Sequence, residues 1–203
     1  MDGFARRREQ SKEEIRRAAW ELFSRFGVDK VTIADIARKA GVSQATIYNN
    51  FGSKETLARE FVTASVEDLV NRFQEILAAK RSYREKMEAF FQGISGILEA
   101  GKSSSADAAV FTGSLDLLND PEIKRIREEA QEKMTGLLLG LVKEGRQQKQ
   151  VNPDVSDAAL RIYFKVYMDV FTHLEFQRQY HQHPRIVYEM GSLMIHGLSG
   201  KRK

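Results

Sequence analysis

Apolar residues recur along most of the chain at steps of three and four, the spacing that stacks them on one face of an α-helix. Ile15, Ala18, Ala19, Leu22, Phe23 and Phe26 form the first such face. Ser11-Lys12-Glu13-Glu14 has the spacing of a capping box and Gly27 supplies a stop, so a first helix is predicted to start at Ser11. A second unit opens at Thr32, with an acid three residues on at Asp35; Ile36, Ala37 and Ala40 point one way, and Gly41 ends it. Ser43 caps a third, very short helix in which Ile47 and Phe51 share a face, and Gly52 breaks it. Ser53 caps a fourth, running through Leu57 and Phe61 to about Leu77.

Longer pieces follow. Met87, Phe90, Phe91, Ile94, Ile97 and Leu98 make one stripe, residues 101–105 read as a linker, and Val110, Phe111, Leu115 and Leu118 make the next stripe. Asp120-Pro121-Glu122 is a helix start: a capping acid, a proline where no amide is needed, then an acid facing the positive end of the dipole. Ile123, Ile126, Ala130, Met134, Leu137, Leu138 and Leu141 continue that helix, and the polar residues 145–155 read as a loop. Two last helices are predicted, roughly 156–179 and 184–198, followed by a disordered Lys201-Arg202-Lys203 tail. With three prolines and no convincing strand alternation, the chain reads as all-α, with about nine helices and no internal repeat.

Composition narrows the class. Of 203 residues, 42% are hydrophobic and 30% charged, ordinary for a protein with a packed core. No apolar run reaches the length of a membrane span, the charged N-terminus lacks a secretory signal, and cysteine is absent; a cytoplasmic protein is expected. The net charge of +4 is uneven, since residues 1–60 hold 12 Lys and Arg against 9 Asp and Glu. Such a surplus permits nucleic-acid binding without demanding it. For catalysis the chain offers neither a phosphate-cradling Gly loop nor a His-x-x-x-His motif, and Gly93-Ile94-Ser95-Gly96 lies inside a helical stripe, not at a nucleophile elbow. His181-Gln182-His183, with no Cys nearby, reads as a solvated turn. No enzyme, metal or cofactor is expected.

The sharpest pattern lies between Thr32 and Phe51, where two short helices meet at Gly41-Val42-Ser43. Gly41 can take the left-handed conformation that ends one helix, Val42 plugs the corner, and Ser43 restarts the chain. A bare corner of this kind also occurs in ordinary helical bundles. Here, however, the outward residues Gln44, Ala45, Thr46, Tyr48, Asn49 and Asn50 include no acid. Gln and Asn can bond adenine in two places, and Ala45 and the Thr46 methyl can touch a thymine methyl. Lys54, at the start of the next helix, is placed to meet a phosphate beside that helix's free amides. Together these features describe a helix-turn-helix whose second helix enters the major groove.

Phe23…Gly27…Thr32-Ile33-Ala34-Asp35-Ile36-Ala37…Ala40-Gly41-Val42-Ser43…Thr46-Ile47-Tyr48…Phe51-Gly52-Ser53-Lys54-Glu55…Leu57 resembles the signature of the TetR family over about 50 residues. The resemblance implies phosphate contacts at Thr32, Tyr48 and Lys54, and approach to bases at Gln44, Ala45, Thr46 and Asn49. Asn50 departs from the frequent His at its position, though it can still donate to a phosphate. With Ser43, these nine residues are the candidate DNA-binding set. Arg6-Arg7-Arg8 resemble the basic arms that some members lay along or into the minor groove, or else form a solvated tail.

The segment Ile162–Leu174 is apolar almost all round and must be covered on more than one side. The last helix presents Ile186, Val187, Met190, Leu193, Met194 and Leu198, with Gly191 and Gly197 permitting close backbone approach. The resemblance implies that these two helices pair with their mates in a four-helix dimer seam; the alternative is a wholly intrachain core. Phe90, Phe111, Met134, Tyr163, Tyr167 and Phe171, with Phe91 beside them, are candidates to line an effector pocket between helices, with polarity from Asp116, Lys165, Asp169 or His173.

The expectation is a DNA-binding domain at residues 9–68 and an effector-binding, dimerising domain at 69–203. The protein would be a homodimeric repressor of a pseudo-palindromic double-stranded operator, released by an amphipathic or aromatic small molecule. The alternatives are an effector-independent regulator and a helical ligand-binding protein with a vestigial helix-turn-helix.

Overall fold

The computed structural model describes residues 3–101, 120–171, 176, 179–180 and 182–199. The stripe from Val110 to Leu118, with Phe111 and Asp116, lies outside them, as do His173, His181 and the tail 201–203. Eight α-helices are described: α1 (Gly3–Phe26), α2 (Ile33–Ala40), α3 (Gln44–Phe51), α4 (Lys54–Ala78), α5 (Tyr83–Gly101), α6 (Pro121–Gln147), α7 (Asp157–Val170) and α8 (Ile186–Ser199). No strand occurs among the described residues. None of the described helices is long and apolar enough to cross a membrane.

The chain divides into two compact units, residues 1–66 with 100–126 and residues 67–99 with 127–203. The division falls inside α4 and inside α6, and near the end of α5, after Glu99; α4 and α6 continue from one unit into the other.

In the first unit, Ile15, Ala19 and Phe23 of α1, Ile36 of α2, Ile47 of α3 and Leu57 and Phe61 of α4 are buried. Phe61 is the hub: Trp20 meets it edge-on at 5.5 Å between ring centroids and Phe23 lies against it at 5.5 Å. Ion pairs join α1 to α4, Arg16 to Glu60 at 2.9 Å, and α4 to the start of α6, Arg59 to Asp120 at 2.7 Å. Asp120 does double duty there, because its other oxygen accepts the Glu122 and Ile123 amides that open α6.

The second unit packs α5 against α7 and α8. The whole predicted α5 stripe is buried, together with Leu160, Phe164, Tyr167 and Phe171 of the α7 segment and Val187 and Met194 of α8. Gly191 is needed for this fit, since a Cβ there would stand 2.6 Å from the Phe91 ring. Gly197, by contrast, faces open space.

Three boundaries differ from expectation. The first helix starts at Gly3, leaving Ser11 mid-helix, and Glu14 accepts from Gln10 at 3.1 Å instead of reaching back to an amide. Residues 5–10 (Ala, three Arg, Glu, Gln) are strong helix formers with no breaker among them, so propensity carries the helix past a local cap. The predicted loop from 145 begins later, because α6 runs to Gln147. Gly145 sits inside that helix, where a Cβ would lie 2.7 Å from both Tyr83 and Val151; close packing, not a turn, explains it. Finally, the helix from Ser156 ends at Val170 instead of running on to 179, and Phe171 tucks between Tyr167 and Phe176 at 5.1 Å from each ring.

Candidate nucleic-acid interface

The corner between α2 and α3 is built from local bonds. Thr32 and Asp35 close a reciprocal capping box: the Asp35 amide donates to Thr32 Oγ1 at 3.2 Å, and the Thr32 amide donates to the Asp35 carboxylate at 3.1 Å. The Thr32 hydroxyl also donates to that carboxylate at 2.6 Å, and these bonds hold Asp35 below the usual carboxylate range. Gly41 adopts φ 70°, a left-handed conformation costly for any residue with a Cβ, and its amide closes on the Ala37 carbonyl. The Val42 amide donates to the same carbonyl at 3.1 Å. Ser43 then accepts the Thr46 amide at 3.1 Å to start α3. Gly52, at φ 77°, stops α3 after two turns, and Ser53 Oγ accepts the Thr56 amide at 3.2 Å to start α4.

These caps orient α3. Ile47 and Phe51 point into the core, with the Arg16 guanidinium 5.5 Å above the Phe51 ring. Gln44, Ala45, Tyr48 and Asn49 are exposed, while Thr46 and Asn50 are half-buried. Tyr48 leaves half its surface in solvent. No acid lies in the first turn of α3. Ser43 and Thr32 are exposed but turned to capping, and Lys54 sits half-buried at the first turn of α4. The nine candidates thus lie on α3, at its cap, and at the starts of α2 and α4.

Residues 15–61 match the family model described as bacterial regulatory proteins, tetR family. Those residues carry a TetR-type DNA-binding segment. The chain's relatives include the transcriptional repressor KstR2 of Rhodococcus jostii, 26% identical over 154 residues that cover 74% of each chain. Among solved structures, FadR of Bacillus subtilis in complex with stearoyl-CoA is 18% identical, with a TM-score of 0.64, over 92% of this chain and 99% of that one. A transcriptional regulator of Saccharomonospora viridis in complex with choline is 19% identical, with a TM-score of 0.69, over 95% and 100%. At these identities the solved structures speak to the fold, which is that of TetR regulators along the chain's length.

In the second unit, several pocket candidates do meet. Phe90 packs on Phe91 at 5.5 Å, Phe91 on Tyr167 at 6.0 Å, and Tyr167 on Phe171 at 5.1 Å. Tyr163 adjoins Tyr167 at 6.1 Å but is 44% exposed, and Met134 is buried on α6. Phe111 is outside the described residues. Asp169 accepts the Gln131 amide at 2.6 Å, and Lys165 is exposed. Two features escaped the sequence pattern. Phe176 joins the aromatic array through Phe171, and the buried Tyr167 hydroxyl has no hydrogen-bond partner among the described residues. Burial pushes that phenol far above the ordinary tyrosine range, so it is a neutral donor at any working pH. Among the described residues no group of three metal-ligating side chains gathers.

Proposed function

We propose that this protein is a homodimeric repressor that occupies a pseudo-palindromic operator and leaves it when a small amphipathic or aromatic effector binds. The observation that carries the reading is the exposed, acid-free face of α3, with glycine stops and hydroxyl caps at both ends. Gln44, Ala45, Thr46 and Asn49 take the bases; Tyr48, Lys54 and Thr32 take phosphates. At Thr32 the phosphate must compete with Asp35 for the hydroxyl.

Dimerisation through α7 and α8 is supported by large apolar side chains in water, Ile162 and Val166 on α7 and Tyr188 and Leu193 on α8. Exposed apolar surface of this kind marks association sites. A twofold dimer would then place two α3 helices roughly 34 Å apart, one turn of DNA. The effector reading rests on the aromatic array around Tyr167. An unsatisfied buried hydroxyl costs free energy, and an effector oxygen or nitrogen that accepts its proton would recover it. That FadR was solved with stearoyl-CoA and the Saccharomonospora regulator with choline gives precedent for small ligands on this fold. The protein would act in the cytoplasm, with residues 9–68 reading DNA and 69–203 sensing. Helix α4, which continues into both units, is the element to carry the signal. A hundredfold loss of operator affinity requires about 2.7 kcal/mol of coupling, and DNA must weaken effector binding equally.

Selection of genomic fragments with purified dimer, followed by metabolite screening for release of the selected fragment, tests this directly. Recovery of one palindromic motif and its release by one compound supports the proposal. A motif bound irrespective of every compound supports an effector-independent regulator, and binding without motif or steep salt dependence supports a vestigial helix-turn-helix.

A further inference from the structure

We infer that Arg8 and Asn50 act as one phosphate-binding element at the end of α3, with Asn50 holding the guanidinium and Arg8 meeting the DNA backbone. The inference rests on the reading of α3 as the DNA-contacting helix and names a contact outside its predicted set of nine.

Both ends of the Asn50 amide are engaged within the chain. Its Nδ2 donates to the Thr46 carbonyl at 2.9 Å, and its Oδ1 accepts from Arg8 Nε at 3.5 Å. One N–H and one lone pair of the amide are thereby committed within the chain, and the two bonds fix its orientation along α3. Arg8, by contrast, commits only Nε to this bond and carries four further N–H donors on its two Nη groups, in a fork that suits a phosphate. Glu9, the adjacent acid, faces Lys12 at 3.8 Å and Arg16 at 3.9 Å, so its charge is shared with those partners.

The helical course of residues 3–10 makes the placement possible. Arg8, Lys12 and Arg16 follow one another at i, i+4 and i+8 on a single helix and so share a face. Arg16 lies over Phe51 and pairs with Glu60, which docks that face against α3 and α4. Arg8, two turns earlier, reaches the residue next to Phe51. A side chain carried on a docked helix loses less freedom on binding than one on a loose arm.

Salt titrations of binding to mixed-sequence duplex DNA test the pair, with thermal melting and circular dichroism as controls for folding. Arg8→Ala should reduce the slope of log affinity against log salt by about 0.9, the loss of one phosphate contact. Asn50→Ala should weaken binding in the wild-type background but not in Arg8→Ala, and should leave base preference unaltered. Arg8→Lys, which keeps the charge but lacks Nε, should be equally blind to Asn50→Ala. An Arg8→Ala slope equal to wild type, additive losses from the two substitutions, or a changed base preference in Asn50→Ala would each overturn the inference while leaving the DNA-binding reading intact. Wild-type protein without affinity for duplex DNA would overturn both.

Discussion

Helix α3 and helix α7 each expose a face that the core of their own unit does not use, and the two faces have opposite chemistry. On α3 the exposed residues are Gln44, Ala45, Tyr48 and Asn49, short or polar and free of acid. On α7 they include Ile162, 68% exposed, and Val166, 59% exposed. A polar face without negative charge suits the grooves of DNA, where hydrogen bonds to base edges give selectivity. A β-branched apolar face suits another protein surface, where removal of area from water drives association. The difference also shows in what holds each helix. α3 is fixed by caps and stops a few residues away; α7 is capped by Ser156 but held mainly by aromatic packing onto α5.

The comparison breaks hardest at the core beneath the reading helix. Phe51→Ala removes a buried ring shared with Arg16 and should cost about 3–5 kcal/mol of stability, read by chemical denaturation. A loss below 1 kcal/mol would mean that α3 is not seated by its inner face. Next in size, Ile162→Asp combined with Leu193→Asp should leave helix content unchanged yet give monomers by sedimentation. Operator affinity should then fall by at least about 100-fold, because two-headed binding is lost. A persisting dimer would assign those exposed side chains another role.

Local and distant determinants were not equally legible in the sequence. Thr32 with Asp35, Gly41, Ser43 and Gly52 could be read directly, since each is satisfied within a few residues of itself. Ser11 has the same local spacing as a cap, yet upstream helix formers override it. Gly145 was ambiguous because glycine serves both turns and close packing, and only its distant neighbour Tyr83 decides between them. The bond from Arg8 to Asn50 spans 42 residues, and the Tyr167 hydroxyl is defined by what surrounds it in space; neither leaves a trace in residue spacing.

Smaller perturbations sharpen the contrast between the two kinds of glycine. Gly41→Ala places a Cβ at φ 70° and should cost about 1–2 kcal/mol, whereas Gly197→Ala, inside α8 with open space at its Cβ, should raise the monomer's stability by up to about 1 kcal/mol. Equal effects by thermal melting would contradict the assigned conformations. The smallest change is at the α2 cap. Thr32→Ala should cost about 1 kcal/mol. Because Thr32 holds the folded Asp35 below its unfolded value, that acid's contribution is complete above about pH 4 and disappears as pH falls through the folded value. Thr32→Ala should therefore flatten the acid limb of the stability curve below pH 4 and leave the neutral region parallel to wild type. An unchanged acid limb would remove Asp35 from the account.

The claim that α3 reads double-stranded DNA is tested most directly by repeating the operator selection with Asn49→Ala and Lys54→Ala beside wild type. Asn49→Ala should alter the selected base at one position in each half-site, with discrimination changing by about 1–3 kcal/mol. Lys54→Ala should keep the motif and weaken every sequence alike, with a shallower salt slope. Identical outcomes from the two substitutions, or a motif indifferent to both, would contradict the account.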